Sequence, residues 1–132
     1  MGSAGDGGDG IVIIRSISGA MSSYNNMTLV SNSQTALSEP STADIVMTYT
    51  NGAGTATVNT DLKAYVTRDN GTTYTQVTLV SEGTTAGHEI LVAHNVDVSS
   101  QPSGSAMRYK IETLNQSVSK QTRIQAVSLG WL

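Results

Sequence analysis

Residues Asp61 to Val80 read DLKAYVTRDNGTTYTQVTLV, and this stretch decides the fold class. Leu62, Ala64 and Val66 alternate with Lys63 and Tyr65, the two-residue period of a strand with one buried face. A second arm runs from Tyr74 to Val80. Between them lies Thr67-Arg68-Asp69-Asn70-Gly71-Thr72-Thr73-Tyr74, rich in residues that accept or stabilise unusual backbone angles. The stretch is expected to form a long β-hairpin, with shorter strands packed around it.

Outward from the hairpin, the chain repeats this idiom. Met27 to Ser31 alternates, with Met27 and Leu29 on one face. Ala43 to Thr50 places Ile45, Met47 and Tyr49 together, and Asn51-Gly52-Ala53-Gly54 signals a turn. Thr55 to Asn59 is expected as a short strand and Glu82 to Gly87 as a loop. His88 to Val98 is a long strand with Ile90, Val92, His94, Val96 and Val98 on one face. After the loop Ser99 to Ser105, Met107, Tyr109 and Ile111 point inward while Arg108, Lys110 and Glu112 point outward. Arg123 to Leu132 closes the chain with Val127, Leu129 and Trp131 on one face. No 3.6-residue apolar pattern with a cap occurs, so no helix is expected. About eight strands and turn-rich loops predict an all-β fold, an antiparallel β-sandwich of jelly-roll-like wiring.

The N-terminal part differs. Residues 1–10 (MGSAGDGGDG) are half glycine and read as a flexible arm or linker. Ile11 to Ile17 (IVIIRSI) is a nearly continuous apolar run, suited to a strand buried on both faces or an edge strand covered by a partner. Residues 11–132 are expected to form one domain.

Composition narrows function. The 132 residues include no cysteine, so thiol and disulfide chemistry are excluded. Seven Lys+Arg and a net charge of −3 provide no basic stripe for phosphates, which argues against nucleic-acid binding. No stretch is long and apolar enough to insert into a membrane, and the N-terminus lacks a signal-peptide pattern. Polarity comes from hydroxyls, with 17 Ser and 17 Thr, a makeup that suits an exposed, assembled β-protein.

Candidate chemistry is sparse. His88 and His94 share strand parity, but six residues of strand separate their side chains by roughly 20 Å, too far for one metal. His94, among valines and isoleucine, reads as a half-buried, hydrogen-bonded histidine. Asp61, Asp69 and Asp97 are conceivable Ca²⁺ ligands, although no D-x-D-x-D-G loop is present. No other cofactor is indicated. There is no G-x-S-x-G elbow, and Glu82, Glu89 and Glu112 are scattered, so no catalytic residue is assigned and the chain reads as a non-enzyme. Among Tyr24, Tyr49, Tyr65 and Trp131 as glycan-stacking aromatics, Tyr49 and Trp131 read as core. The candidate ligand or partner contacts are Tyr24, Tyr65, Glu82 and Gln101, with binding expected in the loops Glu82–Gly87 and Ser99–Ser105.

Thr67 to Tyr74 resembles the Asp-box of sialidases and other β-propellers, Ser/Thr-x-Asp-x-Gly-x-Thr-aromatic, with Tyr74 in place of the usual Trp. One copy in a chain this short argues against a propeller. The residues themselves explain the motif as a folding device. Asp69 can accept from N–H groups of the turn, Gly71 can supply a positive φ, and Thr67, Thr73 and Tyr74 can pack around it. From this hairpin to the C-terminus, DLKAYVTRDNGTTYTQVTL (61–79), SGSAMRYKIETLN (103–115) and RIQAVSLGW (123–131) resemble a β-domain of structural proteins in tailed, especially marine, bacteriophages. That resemblance implies a virion protein of an appendage, tail fibre or particle surface. It also implies assembly in the host cytoplasm and release to the outside, virion and self-association partners (a trimer foremost), and contact with host-surface glycans. The alternatives are a monomeric carbohydrate-binding module and a small hydrolase.

Overall fold

The computed structural model describes residues 24–132, and the readings for the glycine arm and for Ile11–Ile17 lie outside the described residues. Nine strands and no helix occur among the described residues. They are β1 Met27–Val30, β2 Gln34–Thr35, β3 Thr42–Asn51, β4 Leu62–Thr67, β5 Thr75–Gln76, β6 Val80–Thr85, β7 His88–Asp97, β8 Ala106–Thr113 and β9 Thr122–Trp131. They form two antiparallel sheets packed face to face, a β-sandwich. One sheet has the order β1-β8-β4-β5, with β2 also on β8, and the other β6-β7-β3-β9.

The core lies between the sheets and follows the alternation. Ile45, Met47 and Tyr49 of β3, Leu62, Ala64 and Val66 of β4, and Met107, Tyr109 and Ile111 of β8 are all buried. Each large apolar side chain removed from water stabilises the fold by about 1.5–3 kcal/mol.

The hairpin of Asp61–Val80 is shorter than its sequence predicts. Only Thr75 and Gln76 pair with β4, opposite Val66 and Tyr65. After Val77 donates its N–H to the Ala64 carbonyl, the chain leaves this sheet, and β6 pairs instead with β7 in the other layer. Buried Val77 and Leu79 carry the crossing through the core edge. Asn59 stands in for the missing strand partner: its Oδ1 accepts from Leu79 N at 2.8 Å and its Nδ2 donates to Leu79 O at 2.9 Å. Periodicity alone cannot distinguish a strand that continues from one that changes sheets.

Four other expectations are corrected. Glu82–Gly87 is not a loop: β6 extends to Thr85, bulges near Gly83, and turns at Ala86-Gly87, both with positive φ (48° and 81°) as a two-residue hairpin turn requires. On β7 it is Leu91 and Ala93 that face the core, while His94 is exposed rather than half-buried. An irregularity in the pairing between Ala43 and Ile45, with Asn95 at φ 54°, then restores burial at Val98. Thr55–Asn59 forms no strand; Val58 makes one isolated bridge to Leu62. On β9 a second irregularity, opposite Thr48/Tyr49, allows Ile124 to join Val127 in the core, leaving Leu129 and Trp131 partly buried.

Candidate functional site

The Asp-box turn closes on itself. The Thr67 hydroxyl donates to Asp69 Oδ1 at 2.7 Å and accepts from Gly71 N at 3.1 Å. Asp69 Oδ1 also accepts from Thr73 N at 2.8 Å, and Gly71 has φ 92°. Burial pushes the Asp69 carboxyl up, but the Thr67 hydroxyl and the Thr73 N–H outweigh it and hold its pKa below the usual value. A Cβ on Gly71 would sit 3.0 Å from the Tyr74 hydroxyl, so the glycine leaves room for that ring as well as supplying the backbone angle.

Arg68, between the box's Thr and Asp, anchors the loops at this end of the sandwich. It is 5% exposed and donates to four backbone carbonyls: Pro40 at 2.9 Å, Ser99 at 3.0 Å, Gln101 at 2.6 Å and Pro102 at 3.1 Å. Glu39 lies 3.2 Å from its Nη1 and also accepts from the Ser103 hydroxyl and Gly104 N. The Ser103 hydroxyl, against the opposing effect of burial and helped by Arg68 and the Gly104 N–H, holds the Glu39 carboxyl below its ordinary pKa. Gly104 has to be small, since a Cβ there would meet the Arg68 carbonyl at 2.5 Å.

Gln101, a predicted contact residue, is 4% exposed and fully engaged. Its Oε1 accepts from Arg68 N, and its Nε2 donates to Val66 O and to the Thr75 hydroxyl. It closes the end of the β4–β5 pair and is not positioned to meet a ligand. The Ser99–Ser105 loop is accordingly a bound strap. Glu82 is exposed on the bulged β6, and Tyr24 is half-buried where the described residues begin.

Tyr65 is the predicted contact that falls within a chemical cluster. It stands on the outer face of the β1-β8-β4-β5 sheet, opposite Lys110 of β8 and Gln76 of β5. The Asp-box turn brings Tyr74 beside it, the rings edge-to-face with centroids 6.4 Å apart. Lys110 Nζ lies 4.4 Å from both ring centroids, a cation shared by two aromatic faces. The neighbouring Glu112 carboxylate and, with it, burial push the Tyr65 hydroxyl's pKa up to about 12. Burial raises Tyr74 as well. Arg108 borders the cluster, donating to Asn70 Oδ1 at 2.9 Å and Ser31 O at 3.0 Å. The face thus offers an ammonium, a guanidinium, a carboxylate and one phenol ring on paired strands, with a second phenol ring from the turn. Such a surface can stack apolar faces of a ligand and hydrogen-bond its hydroxyls.

The three predicted Ca²⁺ candidates stand apart, each tied locally. Asp61 accepts from Lys120 Nζ at 2.8 Å, Thr57 N at 2.8 Å and Asn115 Nδ2 at 2.7 Å, which hold its pKa down at about 2. Asp97 is bonded by the Ser99 hydroxyl and N–H, and Asp69 by its turn. Among the described residues no group of three or more His, Cys, Asp or Glu side chains gathers. His94 Nδ1 lies 3.8 Å from Asp44 Oδ2 on the exposed face of the other sheet.

The parity of Tyr65, Lys110 and Glu112 is legible in sequence, but the β4–β8 register that brings them together is not. Arg68 carried no signal, since a buried arginine and an exposed one read alike in a turn. Comparison with protein families, curated proteins and solved structures finds no match.

Proposed function

We propose that the chain is a non-enzymatic structural module of a phage-like virion, in a tail appendage, a fibre or the particle surface. It assembles with copies of itself and contacts host-surface glycans through Tyr65 and Tyr74. The observation that carries this reading is the outer β4–β8 face, where Tyr65, Lys110 and Glu112 of the paired strands meet Tyr74 of the Asp-box turn. The virion setting draws its support from the resemblance of segments 61–79, 103–115 and 123–131 to bacteriophage β-domains. Self-association is supported by β6, an edge strand whose six residues are all exposed, including Val80 at 55%. The non-enzymatic part is supported by how the buried polar groups are employed. Asp61, Arg68 and Gln101 hold neighbouring loops and backbone.

The same surface serves the second reading, a monomeric carbohydrate-binding module. Light scattering on the size-exclusion peak, together with a glycan array, separates the two. An oligomer, a trimer foremost, with glycan binding lost in Tyr65→Ala is the expected result. A strict monomer that binds glycans transfers the chain to the second reading, and a monomer without glycan hits removes both.

A further inference from the structure

The outer face of the β1-β8-β4-β5 sheet differs in charge from the molecule as a whole. The chain carries a net charge of −3. On this face the β4–β8 register sets Lys63 opposite Glu112 and Tyr65 opposite Lys110, with Arg108 two residues before Lys110 on the same side of β8. Three cations therefore stand against one carboxylate, and Lys63 lies opposite that carboxylate across the strand pair. Asp69, the acidic residue of the adjoining turn, has its Oδ2 buried and its Oδ1 engaged by Thr67 and Thr73. Arg108 and Lys110 are left as a basic pair, roughly 6.5 Å apart along the strand.

Both side chains are held in place without being neutralised. Lys110 Nζ lies 4.4 Å from the Tyr65 and Tyr74 ring centroids, a contact that orients the ammonium and leaves its charge. Arg108 is fixed by its Nε on Asn70 Oδ1 and its Nη1 on the Ser31 carbonyl, two neutral acceptors. Among the described residues, Arg68 and Lys120 pair with Glu39 and Asp61, whereas Arg108 and Lys110 form no ion pair. The row is open on both flanks: Val30 of β1, opposite Lys110, is 44% exposed, and Gln76 of β5, opposite Tyr65, is exposed. A cation already oriented by its neighbours loses less side-chain freedom on meeting an anion than a free surface lysine does.

We propose that this face selects acidic saccharides, sugars that bear a carboxylate, with Lys110 and Arg108 as the residues that receive the acid group. The inference rests on the glycan reading above and names the class of glycan. Lys110 donates to the carboxylate from beside the two tyrosines. Arg108 offers the same or the next acid group the N–H donors that Asn70 and Ser31 do not use. Hydrogen bonds between such ionised partners are roughly twice as strong as neutral ones. A neutral sugar gains none of them and still has to strip water from both cations, so selectivity and affinity come from the same two groups.

A glycan array that carries uronic and sialic oligosaccharides beside their carboxyl-reduced forms tests this on the full chain, followed by isothermal titration of the strongest hit and its reduced form. The acidic form should bind about tenfold tighter, and its affinity should fall as salt is raised while that of the reduced form changes little. Lys110→Met keeps a long apolar stem against the rings and removes the charge. It should weaken binding of the acidic form about tenfold and that of the reduced form much less. Arg123→Gln changes the net charge equally on the other sheet and should leave acidic binding as it is. Reduced forms that bind as tightly as acidic ones overturn this inference and leave the glycan reading standing. Equal losses in Lys110→Met and Arg123→Gln also overturn it, since net charge would then account for the attraction. Absence of binding by every member of the array overturns both.

Discussion

Arg68 and Gln101 clasp each other in both directions. The guanidinium donates to the Gln101 backbone carbonyl at 2.6 Å, while the Arg68 backbone N–H donates to the Gln101 side chain at 2.8 Å. Each side chain thereby holds the other's main chain, and the strap between β7 and β8 is fixed to the Asp-box turn. Arg68→Ala should destabilise the protein by about 3 kcal/mol, because several buried carbonyls lose their donor together. Arg68→Lys should recover little of this, since one ammonium cannot reproduce a planar fork reaching four carbonyls. Urea denaturation checks both.

Asp69 is expected to act mainly on stability and to reach binding only through the placement of Tyr74. Asp69→Ala removes the acceptor of Thr73 N and of the Thr67 hydroxyl and should lower stability by about 1–2 kcal/mol. Glycan binding, corrected for the folded fraction, should weaken less than in Tyr74→Ala, because the ring is kept and only its support is loosened. Loss of binding at unchanged melting temperature would make the turn itself a recognition element.

Asp61 makes stability depend on acid pH. Its pKa is about 2 in the fold, below its ordinary value of 3.8, through Lys120, the Thr57 N–H and Asn115. A depressed carboxylate stabilises the fold fully above the unfolded pKa, and the contribution is lost as pH falls through the folded one. Melting temperature should therefore fall between about pH 5 and pH 2, less steeply in Asp61→Asn. Asp69, also depressed, acts in the same direction. Equal pH slopes in wild type and Asp61→Asn would show that the contribution lies elsewhere.

Tyr65→Ala and Tyr74→Ala each remove one of the two rings beside Lys110. Each should weaken glycan binding by about tenfold, on the order of 1.4 kcal/mol, with small effects on stability because both rings lie on the outer face. Isothermal titration against array hits measures this. Val80→Lys places a charge on the exposed β6 edge and should shift the light-scattering mass toward monomer.

The alternation of Ile45/Met47/Tyr49 and of Met107/Tyr109/Ile111 made the strands and their buried faces readable from sequence, because a one-residue slip would turn every apolar side chain outward. The Asp-box was readable for a similar reason: its bonds are all local. What escaped sequence was nonlocal. The long pairing expected between Asp61 and Val80 ends at Gln76 because Asn59, seventeen residues before it, offers Leu79 a substitute partner. His94 leaves the core face because its strand changes phase against β3. Arg68 is buried because four carbonyls from two distant loops converge on it. At the candidate site, Tyr65 could be named from its parity, whereas Tyr74 and Lys110 join it through the turn's closure and the β4–β8 register.

Trp131 is the sequence's single tryptophan, and it stands half-buried at the far end of β9. The protein thus carries an intrinsic fluorophore at one rim of the sandwich, with no second indole to blur its signal. Its emission wavelength and its quenching by acrylamide report on whatever covers that rim, without any label. Any change in what covers that rim can be followed there as a shift in colour.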